Sequence, residues 1–395
     1  MNMPARIDHA AADRPRAGAA TRAAAMPVAA DRLTWILANG RDGDDTQMVR
    51  LAAALGWPYE VVQVRHHIAR IIGDRILDAC GRGRLEPGAI PAGRLPDLVL
   101  AVGGRSVSMA RRIRAASGGR TRLVFIGGPY AALDSFDLII ATAQQGIPHR
   151  ANVVQNLLPL NSPADREVEA AGARLGHQFD ALPRPRLAVL VGGSNSSIRI
   201  TPASAERLAE RANALAMEAN GSLLVSTSRR TPVAVADALV GKLRAPAYVY
   251  RWVANDANNP YLALLASADA FLVTSDSASM MADALSTRRP VEIFDLDQRL
   301  SSRILTSSWI AGADGSPAGR PRQPTAIDRF RARLIDGGYW TPARDLRRLH
   351  DALRANGLLG ASGRLPLERP READLRRAVE RIRGLFGSDP STAEA

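Results

Sequence analysis

Three short segments carry residue types suited to holding a phosphorylated, hydroxyl-rich ligand. The richest is Val273-Thr274-Ser275-Asp276-Ser277-Ala278-Ser279-Met280-Met281-Ala282-Asp283-Ala284. It leaves a β-branched run and opens a helical pattern, so Thr274, Ser277, Ser279 and the free amides of a helix start could face the oxygens of a diphosphate. Asp283 falls on the second turn, where one carboxylate can accept from ribose hydroxyls. The plainer reading makes Asp276 and Ser277 helix caps. A second segment, Ser228-Arg229-Arg230-Thr231-Pro232, places Thr231 as an N-cap and Pro232 at the first helical position. Arg229 or Arg230 would supply a forked donor to a phosphate, or both are solvated arginines on a capped turn. A third, Val191-Gly192-Gly193-Ser194-Asn195-Ser196, ends a strand with two glycines that let the backbone approach a ligand, and Ser194 and Ser196 add hydroxyls. A tight strand-to-helix turn uses the same residues, and Gly103-Gly104-Arg105-Ser106 echoes it in the first half. Neither glycine pair reads GxGxxG, which argues against a dehydrogenase.

Elsewhere the sequence offers little catalytic chemistry. Cys80 is the single cysteine, which removes intrachain disulfides, thiolate clusters and CxxC pairs and points to a reducing, cytoplasmic compartment. His66 and His67 are adjacent and do not share a helix or strand face, so they read as structural. His149, beside Arg150, reads as a satisfied loop residue. Asp295-x-Asp297 is the one suggestive carboxylate pair near the second half, too little for a metal site, and no Ser-His-Asp pattern emerges.

These segments need strands and helices to aim them. From Leu33 onward, short β-rich runs recur with helical patterns between them, the signature of parallel βαβ units. Strands are expected at Leu33 to Ala38, Tyr59 to Val64, Asp97 to Val102, Arg122 to Ile126 and Asp137 to Ala141. After a stretch with Pro183 and Pro185 the series restarts at Leu187 to Val191, Gly221 to Ser226, Ala247 to Trp252, Ala270 to Thr274 and Val291 to Phe294. The fold class is therefore α/β, with two Rossmann-like domains facing a cleft and a C-terminal helical tail. The expected organisation is a disordered tail over 1–30, a first domain over 31–175, a linker over 176–186, a second domain over 187–310, and a helical extension over 311–395 that packs back on the body. The last helix shows why: Leu375, Val379, Ile382 and Phe386 share a face of Glu372 to Phe386.

Composition narrows the partners. With 395 residues, 46% hydrophobic and 23% charged, the chain can build two packed cores. Apolar runs such as Leu98 to Val102 are too short to span a bilayer, and residues 1–30 lack the apolar core of a secretory signal. The net charge is +13, and Lys242 is the only lysine among 52 basic residues. No RNP-like aromatic pattern, zinc knuckle or dense basic run accompanies that charge, so nucleic acid is not an expected partner. Residues 319–385 hold 16 Arg against 8 Asp and Glu, which suits an anionic membrane surface or simply a solvated arginine-rich face.

In their order and spacing, these segments resemble the GT-B glycosyltransferases, and more closely a family named after a plant mitochondrial-fission protein, elongated mitochondria. The matching residues are Gly192-Gly193-Ser194, Ser228-Arg229-Arg230-Thr231-Pro232, Asn259-Pro260-Tyr261 before Ala268-Asp269, and Thr274-x-Asp276-Ser277-x-Ser279-Met280-x-x-Asp283-Ala284-x-x-Thr287-x-x-Pro290-Val291. Asp42-Gly43-x-x-x-Gln47 and Leu51-Ala52 resemble its opening loop and helix more loosely. The family carries Glu where this sequence has Asp283, which shortens the reach towards a ribose by one methylene. The resemblance implies a GT-B fold, a nucleotide-sugar in the second domain and an acceptor in the first. It also implies a leaving diphosphate stabilised by arginine, hydroxyls and helix termini, with no metal or other cofactor. Gly193, Ser194, Ser228, Arg229, Arg230, Thr231, Thr274, Asp276, Ser277, Ser279, Met280 and Asp283 are the donor-site candidates. A general base for the acceptor hydroxyl belongs in Asn39-Gly40-Arg41-Asp42-Gly43-Asp44-Asp45, where Asp42 and Asp44 are candidates and Asp44 or Asp45 also suits an N-cap for a helix starting near Thr46. The expected activity is transfer of a sugar from a nucleoside diphosphate to a cell-envelope saccharide or lipid at the inner membrane face. A non-catalytic membrane-recruitment scaffold and a nucleotide-sugar epimerase on the same fold are the alternatives.

Overall fold

The structure, a computed structural model, describes residues 32–64, 90–298, 326–359 and 370–387, apart from positions 41, 92, 105, 130, 196 and 343. The expected tail at 1–30, His66, His67, Cys80 and Ser196 lie outside the described residues.

Apolar runs bounded by polar turns build two parallel sheets. In the first, β1 (Thr34–Ala38), β2 (Tyr59–Gln63), β3 (Leu98–Val102), β4 (Arg122–Ile126), β5 (Leu138–Thr142) and β6 (Val153–Asn156) lie in the order β2-β1-β3-β4-β5-β6. In the second, β7 (Arg186–Leu190), β9 (Ser222–Ser226), β10 (Ala247–Tyr250), β11 (Ala270–Thr274) and β12 (Val291–Phe294) lie in the order β10-β9-β7-β11-β12. A two-residue antiparallel pair, β8 (Ile198–Arg199) with β13 (Asp297–Gln298), stands beside it. Every residue of β1, β3, β5, β7 and β9 is buried, as parallel strands covered on both faces require.

Alternate residues feed different layers. Trp35 and Leu37 join one core of the first domain, while Ile36, Leu98 and Leu100 join another beneath α1 (Asp42–Leu55) through Met48, Leu51 and Leu55. On the far face α2 (Val107–Ala116) adds Met109 and Ile113. In the second domain Val189 and Val225 meet α4 (Pro202–Glu218), and Ala188, Leu190 and Phe271 meet α6 (Tyr261–Ser267).

The chain changes domain earlier than the expected linker. α3 (Asp165–Leu175) puts Leu175, with Val168 and Ala171, into the second core, together with Leu158. The crossover is therefore 157–164, and the prolines near 183–185 mark only the turn into β7. The tail returns the other way. α9 (Leu346–Ala355) buries Leu349 and Leu353 in the second domain, whereas α10 (Pro370–Gly384) buries Ala378 and Ile382 in the first. Beyond its end, Phe386 meets Trp57 edge-on at 5.2 Å, and the Arg32 guanidinium lies over both rings.

Arginines of α10 hold it to backbone carbonyls of the first domain: Arg377 to Gln155 at 3.1 Å, Arg383 to Leu55 at 3.2 Å, and Arg381 to Ala151. Asp374 accepts from the Leu157 and Leu158 amides at 2.8 Å each. These arginines, exposed along the helix, fasten it to the first domain. Among the described residues, no helix is long and apolar enough to cross a membrane.

Candidate functional site

In the second sheet β7 and β11 are neighbours whose onward connections run to opposite faces, which opens a crevice at their carboxyl ends. The loops leaving β7, β9 and β11 meet there as a hydrogen-bonded knot. Thr274 Oγ1 accepts from the Gly192 amide at 2.8 Å and donates to Asp276 Oδ1 at 2.7 Å. Asp276 Oδ2 accepts from the Gly193 amide at 2.8 Å and from Arg230 Nη2 at 2.9 Å, while Arg230 Nη1 donates to the Gly193 carbonyl at 3.1 Å. Thr231 Oγ1 donates to the Gly192 carbonyl at 2.5 Å and accepts from the Ser228 amide at 2.9 Å.

These contacts give the candidates a structural task. Both glycines are needed because protein approaches them: a Cβ on Gly192 would stand 2.1 Å from Asp276 Oδ2, and one on Gly193 would stand 2.0 Å from the Arg230 carbonyl oxygen. Thr231 is no N-cap; α5 (Val233–Gly241) starts after Pro232, and the Thr231 hydroxyl turns back to β7. Arg230, though partly exposed, is tied to Asp276, while Arg229 beside it is exposed on the same loop. Asp276 and Thr274 are almost wholly buried and fix the loops against each other. Ser194, half-buried, accepts from the Ile200 amide at 3.1 Å.

The knot leads into α7 (Ala278–Ser286), where the remaining candidates line up. Ser277 is the N-cap and accepts from the Met280 amide. The first-turn amides that follow have no partner within the helix, and with the helix dipole they favour an anion. Met280 is half-buried against the second core. One turn apart on α7, Ser279 and Asp283 face the crossover from the first domain. Asn161 Nδ2 donates to Ser279 Oγ at 2.7 Å.

Asp283 is 8% exposed. Tyr261 donates its hydroxyl to Oδ2 at 2.8 Å, and Oδ1 has no partner among the described residues. The Ser162 hydroxyl stands near enough to favour the charged form, yet it too completes no hydrogen bond. Burial pushes the Asp283 carboxyl up to about 6, against the opposing pull of Tyr261, Ser162, Arg50 and Arg371. The same burial pushes the Tyr261 hydroxyl well above its ordinary value.

The first-domain candidates sit differently. α1 begins at Asp42, several residues before Thr46, because the Asp45 carboxylate reaches back to the Asn39 and Gly40 amides at 3.1 Å each. Asp42 thus opens the helix and Asp44 lies half-buried in its first turn; among the described residues no hydrogen bond joins Asp44 to the second-domain loops. Further along α1, Gln47 accepts from the Leu160 amide at 3.3 Å, which holds α1 to the crossover, and Arg50 pairs with Glu167 of α3 at 3.0 Å. No group of three His, Cys, Asp or Glu side chains gathers as metal ligands among the described residues, and Asp297 pairs with Arg207 at 3.2 Å.

Asn161, Ser162 and Arg50 lie outside the segments whose residue types suggest chemistry, whereas Tyr261 closes the matching Asn259-Pro260-Tyr261. A signal existed for Tyr261: Asn259 accepts from its amide at 3.0 Å in a turn that starts α6 and aims the ring. Asn161-Ser162-Pro163 reads only as a polar turn.

Two Rossmann-like domains, their sheets' carboxyl ends turned towards a shared seam and the last helix crossing back, define an α/β protein of GT-B type. Residues 42–308 match the family described as Mitochondrial fission ELM1, and the chain belongs to that family. It is 30% identical to the Mitochondrial fission protein ELM1 of Arabidopsis thaliana over 227 residues, 51% of this chain and 52% of that protein, and so spans about half of that relative's length. It is 23% identical to the Uncharacterized protein RP120 of Rickettsia prowazekii over 307 residues, 66% of this chain and 82% of that one. Among solved structures, the UDP-GlcNAc 2-epimerase from Methanocaldococcus jannaschii aligns over 90% of this chain and 99% of its own, at 11% identity and a TM-score of 0.46.

Proposed function

We propose that the protein is a glycosyltransferase that binds a nucleoside diphosphate sugar at the second-domain crevice and passes the sugar to a cell-envelope saccharide or lipid held by the first domain. The observation that carries this reading is Asp283: a buried carboxylate, raised to about 6, with one oxygen left open on the first turns of a helix that starts at the switch point. A buried carboxylate with an open oxygen costs stability, which makes it a candidate for binding a donor-bearing ligand. The carboxylate takes sugar hydroxyls. Ser277, Ser279 and the α7 amides take the diphosphate with Arg229, and Ser194, Ser228 and the bonded knot keep the loops in place. No metal or other cofactor is called for, since these groups offset the charge of the departing diphosphate. Asp42 or Asp44 serves as the base, on the helix that faces the crossover.

The test is turnover. UDP-, GDP-, ADP-, CMP- and dTDP-sugars are incubated with the protein, with and without a cell-envelope extract, and nucleotide release is followed. Extract-dependent release that disappears in Asp283→Ala supports transfer; conversion of the sugar nucleotide with no acceptor marks an epimerase.

A second reading, a non-catalytic recruitment protein on a membrane surface, is favoured by one face of α8 (Ala326–Asp336). Ile327 and Phe330 are each 61% exposed there, Tyr339 just beyond is 72% exposed, and Arg329 and Arg333 are exposed beside them. Apolar side chains among arginines suit an anionic bilayer. Under that reading the protein sediments with phosphatidylglycerol vesicles, Ile327→Ser with Phe330→Ser abolishes sedimentation, and no donor is turned over.

A further inference from the structure

The crossover between the domains carries two polar side chains that packing does not explain. Ser162 is fully buried and its hydroxyl has no partner; Asp283, 8% exposed, faces it from the second domain with Oδ1 equally unpartnered. Asn161, next along the chain, uses its Nδ2 on Ser279 and leaves Oδ1 buried without a partner. A buried polar atom left unpaired is costly, so a hydroxyl, a carboxylate oxygen and an amide oxygen unpaired on one seam mark a place for something else to bind.

The donor–acceptor inventory says what. Asp283 Oδ1 and Asn161 Oδ1 are acceptors, and the Ser162 hydroxyl can accept or donate. An incoming group must bring donors, and it must bring more than one, closely spaced. The diphosphate bridge of a nucleotide sugar, esterified at both ends, brings none at neutral pH. A pair of adjacent hydroxyls on a sugar brings two.

We propose that Ser162 and Asn161 contact the ligand, joining Asp283 to hold the vicinal hydroxyls of its ribose, so that the domain crossover is itself part of the binding site. The inference rests on the nucleotide-sugar reading given above and adds specificity-determining residues from outside the second-domain loops. Its consequence is mechanical. The crossover is anchored to the first domain through Leu160 on Gln47 and through Leu157 and Leu158 on Asp374. A ligand held jointly by Asp283 and Ser162 therefore bridges both domains and holds the seam shut.

The test is isothermal titration of the full chain with UDP, GDP, ADP and CDP and with the 2′,3′-dideoxy form of each. For whichever base binds, loss of the two hydroxyls weakens the wild type by about 10- to 100-fold. Ser162→Ala weakens the ribonucleotide by about tenfold and leaves the dideoxynucleotide unchanged, because the partner that the serine serves is already gone. Asn161→Ala shows the same pattern and guards against a folding defect in Ser162→Ala; melting midpoints accompany both. A variant that weakens both nucleotides equally has a structural role, and a variant that changes neither binds nothing; either result overturns the assignment while the donor reading stands. Binding of no nucleotide to the wild type overturns the donor reading and this assignment with it.

Discussion

Asp283 is where stability and binding pull apart. Its carboxyl sits at about 6 in the folded chain against an ordinary 3.8, so the folded protein takes up a proton between those values that the unfolded chain does not. Above pH 6 the penalty of the buried charge is felt in full, and stability is regained as the pH falls towards 3.8. Asp283→Asn, neutral throughout, should raise stability by about 2–3 kcal/mol at pH 7.5, with the gain shrinking to nothing towards pH 4 in urea titrations. A variant no more stable at pH 7.5 would mean that the charge is fully compensated. Gly193 tests the knot. Gly193→Ala drives a methyl to 2.0 Å from the Arg230 carbonyl oxygen, which is backbone and cannot swing aside. We expect a loss of about 2–4 kcal/mol, read from the urea midpoint; a wild-type midpoint would show that the loops are loosely joined. Asp283 was legible because hydroxyls, helix start and carboxylate fall in one short stretch. Ser162 was not, because Asp283, the carboxylate it faces across the seam, lies more than a hundred residues away.

Most elements could be read from apolar runs, and their failures have physical causes. β4, β11 and β12 fall on their expected bounds because their runs end at turn residues on both sides. β6 went unread: Gln155 and Asn156 make half of it polar, and it survives as an edge strand partly because Gln155 Nε2 donates to the Ile147 carbonyl at 3.0 Å. α1 starts early because Asp45 satisfies amides behind it, a role that spacing alone assigns to a cap further on. α3 shows the limit of compositional boundaries, since its apolar stripe and not the later prolines decides the domain it joins. For α10 the pivotal residue is Asp374, 1% exposed and pushed up to about 6 chiefly by burial. Asp374→Ala strips the acceptor from the part-buried Leu157 amide and the buried Leu158 amide, and should lower stability by about 2–4 kcal/mol in thermal or urea unfolding. It should also loosen the crossover, giving faster amide exchange at 157–164; unchanged exchange there would contradict the strapping role.

At the scale of the whole molecule, two sheets, a crossover and a returning helix bring α1, α7 and α10 together around one seam. The fold class followed from the repeated strand-and-helix pattern, but the pairing of distant turns across the seam did not, since pattern says nothing of which loops face each other. The positive charge divides likewise: arginines of α10 bind carbonyls, while exposed Arg229 lies on a crevice loop. A nucleoside diphosphate site built on Asp283 is best tested by a thermal-shift series of UDP, GDP, ADP, CDP and dTDP on the wild type and on Asp283→Ala. At about 100 times its dissociation constant, a bound nucleotide adds about 2.7 kcal/mol of stability. At least one nucleotide should raise the wild-type midpoint, and the rise should vanish in Asp283→Ala. A midpoint that no nucleotide moves, or one that moves equally in both proteins, would contradict such a site.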